Sequence, residues 1–228
     1  MNKQILHTAR QFGAGLFMAA ALMCCVPVSA LADDRRASEP DPFFGSSTLL
    51  NVLGDLYWRR AFGLVTIPVD QNGNAVVGGI ALLPLPDAPG DGTPGSIDIT
   101  LKAGQAFFLP LLAMFGTSYS DGTPSDPFVT RSVFKKHLKQ FRLQVDGRTI
   151  LDEKGVLDFL TGITFEPPIA YDAPPIKAIT IEQGLSILHR ALPPGTHVIQ
   201  LDEKITAMPP ILGGDAEFHN TFNVTVLP

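Results

Sequence analysis

Asp152, Glu153, Asp158, Glu166 and Asp172 crowd one short stretch of this chain. Two carboxylates brought together in space can divide acid and base duties in hydrolysis, as in glycoside cleavage. The same stretch carries Pro-Pro at 167–168 and 174–175 and reads as irregular from 153 to 175. Loop acids are mostly solvated charges, so a polysaccharide-directed hydrolase using 152–172 is the alternative reading, not the leading one. Serine chemistry has less to stand on: there is no Gly-x-Ser-x-Gly elbow.

Histidines could ligate metal or move protons, so their strand parity matters. In "THVIQL", His197 shares a face with Ile199 and Leu201, whereas in "EFHNTFNVTV" His219 alternates against Phe218, Phe222 and Val224. With apolar faces inward, His197 points to the core and His219 to solvent, and the two cannot share a metal. His197 then reads as a core-edge residue satisfied by a backbone carbonyl just after the Pro-Gly turn. His189 lies in a strand apolar on both sides and marks no site. There is no His-x-His or His-x-x-x-His spacing, which disfavours zinc chemistry.

Asp70, Asn72 and Asn74 alternate like the first ligands of a calcium loop. That loop also needs Gly where Ala75 stands and Glu where Ala81 stands, so "DQNGN" is better read as an Asn-Gly hairpin turn. No cofactor is expected. Arg131, Lys135, Lys139 and Arg142 fall within about 80° on a helix turning 100° per residue. Such a stripe would suit a polyanion, and equally the solvated face of an amphipathic helix. Trp58, beside Tyr57, Arg59 and Arg60, could be a sugar-stacking platform or a core anchor.

These residues need elements to hold them. "SSTLLNVLGDLYWRRAFG" has helical spacing, with Ser46 or Ser47 as cap. "SDPFVTRSVFKKHLKQF" predicts a second helix, capped by Ser125 or Asp126, with Phe134, Leu138 and Phe141 on one face. The rest is strand and turn: "LVTIP", "AVVGGIALLPL", "SIDITL", "QAFFLPLLA", a hairpin at Asp146-Gly147, "IKAITIEQ", "LSILHRAL", "THVIQL" and the closing strand. Roughly nine strands with proline-rich connections predict an all-β antiparallel sandwich, Ig-like or jelly-roll-like, with one or two short helical insertions.

The N-terminus reads as an export signal. Lys3 and Arg10 precede an uncharged run from Phe12 to Val28, and Ala30-Leu31-Ala32 offers a cleavage site. The expected division is a signal peptide at 1–32, a flexible leader at 33–45 and a single sandwich domain at 46–228, secreted or periplasmic. Cleavage would remove Cys24 and Cys25, leaving no thiol or disulfide, and two of the 17 bases, leaving 15 against 22 acids and a charge of −7. That balance disfavours a nucleic-acid binder.

The order of features resembles that of a group of exported bacterial β-sandwich proteins. The matching residues are Trp58, Asp70 with Gly73, and Gly104 with Phe107, Phe108 and Pro110. Val145-Asp146-Gly147 follow, then Leu192, Pro194, Gly195, His197 and Ile199, and finally Phe222 with Val224, Thr225 and Val226. The resemblance implies a fold and an exported location, and no reaction. The leading expectation is therefore a non-enzymatic binding or structural module of the envelope or extracellular space, meeting a glycan or a protein through its loops.

Overall fold

The computed structural model describes residues 41–209 and 211–228, so the signal-like stretch and most of the leader lie outside the described residues. Among the described residues, ten strands form two five-stranded sheets. The first holds β1 (Ala75–Val77), β2 (Ile80–Leu82), β4 (Phe107–Tyr119), β8 (Ile176–His189) and β7 (Leu160–Ala173), in the order β1-β2-β4-β8-β7. The second holds β3 (Gly95–Lys102), β10 (Ala216–Leu227), β9 (Gly195–Ile205), β5 (Leu138–Val145) and β6 (Arg148–Asp152), in the order β3-β10-β9-β5-β6. Pairing is antiparallel except at β2–β4 and β3–β10. The chain is a β-sandwich with short helical insertions.

Alternation builds the core. Ile199, Leu201 and Ile205 of β9, Phe222, Val224 and Val226 of β10, and Phe141 and Leu143 of β5 point inward. They meet Phe107, Leu109, Leu185 and Ile187 from the other sheet, nearly all at 1% exposure or less. The outer face of the first sheet is also apolar, and helix α1 (Ser47–Ala61) covers it with Leu50 and Leu53. Ser46 caps α1 by accepting from the Leu49 N–H through Oγ at 3.3 Å. The outer face of the second sheet is polar, alternating as a half-solvated antiparallel sheet should. None of the described helices is long and apolar enough to cross a membrane.

Four local expectations change. Helix α2 is only Arg131–His137, capped by Thr130, and the chain then runs extended as β5. Phe141 and Leu143 reach the core with a period of two, and this tertiary demand overrides the helical spacing. Residues 75–85 break at Gly78-Gly79, whose φ of 57° and 84° make the two-residue turn between β1 and β2. The region expected to be irregular contains β7, an edge strand whose pairing lapses between Thr164 and Ile169, which is where Pro167 and Pro168 need no ladder N–H. Finally, residues 41–45 of the expected flexible leader dock on β8. Phe44 donates its N–H to the Leu188 carbonyl at 3.1 Å, and Arg190 donates to the Pro42 carbonyl at 2.8 Å.

Candidate functional site

At one end of the sandwich, the loop after β4 and the β7–β8 turn frame an open cleft of about 460 Å³, lined by Tyr119, Asp121, Thr123, Pro124, Ser125, Asp126, Pro127 and Pro175. Asp126 holds the loop in place. Its N–H donates to the Thr117 carbonyl at 2.9 Å, and its carboxylate accepts from the Thr117 N–H, the Thr117 hydroxyl and the Tyr119 hydroxyl, each at 3.0 Å. The Gln183 side chain pins the next turn of chain, accepting from the Val129 N–H and donating to the Val129 carbonyl at 2.8 Å each. Ser120 ties the opposite lip by donating its N–H to the Pro175 carbonyl. The result is a mainly apolar concavity, with a ring face and proline faces beside hydroxyls and two carboxylates. The cleft is open to solvent, and its volume is within the range of small-ligand clefts.

The open face of the second sheet carries a chain of alternating charge across β5, β9 and β10. Arg142 reaches Asp202 at 2.6 Å, Asp202 accepts from His219 Nδ1 at 2.8 Å, His219 Nε2 meets Glu217 at 3.3 Å, and Lys204 pairs with Glu217 at 2.6 Å. Asp202 foremost, then Glu217, holds His219 above the usual histidine range against a smaller opposing effect of burial. Partial burial raises Asp202, but His219 and Arg142 outweigh it and hold the carboxyl low. Pairs this exposed are worth little individually.

The four of the five acids whose side chains are described, Asp152, Glu153, Asp158 and Glu166, do not assemble into a reacting pair. Asp152 closes its own turn, accepting from the N–H groups of Lys154 and Gly155. Asp158 is exposed and paired with Arg131 at 2.6 Å, and Glu153 and Glu166 are exposed. The Asp172 side chain lies outside the described set. Asp70 is committed to its turn: Oδ1 accepts from the N–H groups of Asn72 and Asn74, and Oδ2 from the side chains of Asn74 and Gln105. Slight burial works against its charge, but these donors prevail and lower its pKa. Asn74 spends its amide on the Thr100 carbonyl at 2.6 Å, linking the two sheets. Both Asp70 oxygens are thus engaged by N–H donors, and no cluster of three acids or histidines suited to a metal occurs among the described residues.

The basic stripe is not a stripe. Arg131 and Lys135 are on α2, but Lys139 and Arg142 are on β5, where Lys139 folds back to the Lys136 carbonyl and Arg142 binds Asp202. The helical angle that aligned them ends at His137. Trp58 is half-buried on α1, edge-on to Phe115 and Tyr57 with centroids 5.0 and 4.8 Å away. His189 stacks on Phe107 and its Nδ1 lies 2.6 Å from the Arg190 carbonyl.

Two carboxyls absent from the sequence reading are the most deeply placed among the described residues. Glu182 of β8 and Glu203 of β9 are each 1% exposed, and no hydrogen-bond partner reaches their oxygens. Burial pushes the Glu182 carboxyl up to about 8 and raises Glu203 well above the glutamate range. They are not a dyad. Glu182 pairs across strands with Phe115 and Ile163, on the face that α1 covers, whereas Glu203 pairs with Phe141 and Phe218 in the inter-sheet core. Parity with Ile199, Leu201 and Ile205 could have placed Glu203 inward from sequence.

No family model matches the chain, and no curated protein does. Four solved chains match. One is in the structure of PbICP-C in complex with falcipain-2, 15% identical, covering 65% of this chain and 99% of that one, with a TM-score of 0.24. A fibronectin(III)-like module of Clostridium thermocellum CbhA is 9% identical over 60% and 95% of the two chains, with a TM-score of 0.20. Amebosin is 14% identical over 59% and 92%, with a TM-score of 0.19. Likeness at this level carries no argument about what this chain binds.

Proposed function

We propose that the protein is an exported, non-enzymatic binding module of the cell envelope or extracellular space, one of a group of such bacterial β-sandwiches, and that it takes a glycan segment in the cleft beside Tyr119. The carrying observation is the cleft itself: flat ring and proline faces next to Asp121, Thr123 and Asp126, on a loop anchored by buried hydrogen bonds. A sugar ring offers apolar C–H faces and outward hydroxyls; the proline and Tyr119 side chains suit the first, and Asp121 and Thr123 suit the second, while Asp126 holds the loop. Export is read from the pattern of residues 1–32. Fold alone gives no function, so the reading rests on this site.

The test is a glycan array followed by polysaccharide pull-down, at low and at physiological salt, with wild type, Asp121→Ala and Tyr119→Ala. Binding that survives salt and is lost in both variants supports the proposal. Binding that neither variant weakens moves the site elsewhere on the surface. No binding at either salt overturns the glycan reading and turns attention to a protein partner, sought by crosslinking in the native envelope. Release of reducing ends from a bound polysaccharide would overturn the non-enzymatic part.

A further inference from the structure

His197 has an oxygen acceptor on each ring nitrogen. Nδ1 lies 2.7 Å from Asp146 Oδ2, and Nε2 lies 2.9 Å from the Pro193 carbonyl oxygen. Neutral imidazole carries one N–H, so one nitrogen would turn a lone pair toward an oxygen lone pair. Only the imidazolium donates to both.

The acceptors are themselves fixed. Asp146 sits in the left-handed region at φ 52°, followed by Gly147 at 77°, in the tight turn between β5 and β6. Its Oδ1 accepts from the Val198 N–H at 2.9 Å, and its own N–H donates to the Val198 carbonyl at 2.9 Å. Pro193 lies in the connection from β8 to β9, two residues before Gly195, whose φ is 139°. The ring therefore joins two separate turns at one end of the second sheet. Its side chain is only 11% exposed, and its neighbour across β10 is the buried, uncharged Val224. The β5–β6 turn contributes the charge of Asp146, with Arg148 flanking that turn on β6, and the β8–β9 connection contributes the Pro193 carbonyl. Burial opposes the ring's charge, but Asp146 and the Pro193 carbonyl outweigh it and hold the proton above the usual histidine range.

We propose that His197 is a proton-operated latch: as imidazolium it ties the Asp146–Gly147 turn to the Pro193 carbonyl at the entry to β9, and losing the proton opens one of the two contacts and loosens the link between the two turns. The sign follows from the raised folded-state value. The latch contributes fully below the ordinary histidine value near 6.5 and is lost as pH climbs through the folded one. An exported protein that meets changing acidity would thus carry a tighter sheet end in acid. The latch does not depend on the glycan reading.

The experiment follows the ring ¹⁵N and ¹³C resonances of His197 by NMR between pH 5 and 9, with amide-exchange protection factors for 145–149 and 195–198. Both ring nitrogens should be protonated at pH 6. The midpoint should exceed that of histidine in the unfolded chain, with protection in the turn falling about tenfold across it, the worth of one charged hydrogen bond. Asp146→Asn, which tolerates the same backbone region, should lower the midpoint, and His197→Gln should abolish the protection step. A neutral ring at pH 6, or a step that persists in His197→Gln, overturns the latch. Should His197→Gln not fold, Asp146→Asn decides alone: an unchanged midpoint overturns it.

Discussion

Gly184 of β8 lies so close to Leu112 of β4 that a Cβ on it would stand 1.9 Å from the Leu112 carbonyl oxygen. The approach falls beside a bulge in β4, where the register shifts between Pro110 and Leu112. Backbone, not a movable side chain, would have to yield. Gly184→Ala should therefore cost about 3 kcal/mol or more in urea unfolding. Gly214→Ala, with open space around it, should stay within about 0.5 kcal/mol of wild type. Equal stability of the two variants would contradict this packing.

Glu182 makes alkaline conditions costly. Its carboxyl is raised by burial from the ordinary 4.5 to about 8. Between those values the unfolded chain has lost the proton and the folded chain keeps it, so stability declines as pH rises, by up to about 1.4 kcal/mol per unit. The decline stops above the folded value, where both states are ionised. Glu182→Met removes that slope and the unpaired oxygens, and should be about 2 kcal/mol more stable than wild type at pH 8. Glu203 contributes its own slope to both proteins and cancels in the difference. Urea titrations of both at pH 5 and pH 8 would show whether the gap widens with pH, as required.

What the sequence made legible follows from where one rule dominates. Alternation in β9 and β10 separated the inward His197 from the outward His219, and Ser46 announced α1, because nothing competes with parity or capping there. The helix over 125–141 misled because Phe134, Leu138 and Phe141 satisfy a helical period, while the inter-sheet core takes Phe141 and Leu143 as a strand. The supposed cap Asp126 is in fact spent on Thr117 and Tyr119, contacts between chain segments that local spacing does not encode. Glu182 stayed hidden for a related reason. Its strand is apolar on both faces, and only the docking of α1 decides that its side is sealed.

Asp126 should be the stability determinant of the cleft. Removing its side chain leaves the Thr117 N–H and hydroxyl, both buried, without their acceptor. Orphaning such donors costs about 3 kcal/mol. Asp126→Ala should unfold earlier by that amount, and limited proteolysis should cut within 120–129 while the sheets stay intact. Retained protease resistance there would mean that the Val129–Gln183 and Ser120–Pro175 contacts hold the loop without the Asp126 carboxylate.

Trp58 and Tyr119 separate packing from binding. Trp58 meets Phe115 edge-on with rings 89° apart and covers the cluster around Phe165, whereas Tyr119 lines the open cleft. Truncating a half-buried indole loses part of what a fully buried one would, about 2 kcal/mol. Trp58→Ala should therefore lower the unfolding midpoint in urea and leave the affinity for any glycan retained by wild type within about twofold, less than half a kcal/mol. Tyr119→Ala should do the reverse to binding, abolishing retention on the same matrix while the sheets still unfold cooperatively. If instead Trp58→Ala lost the sugar at temperatures where it remains folded, the α1 surface would be the binding site and the cleft would not.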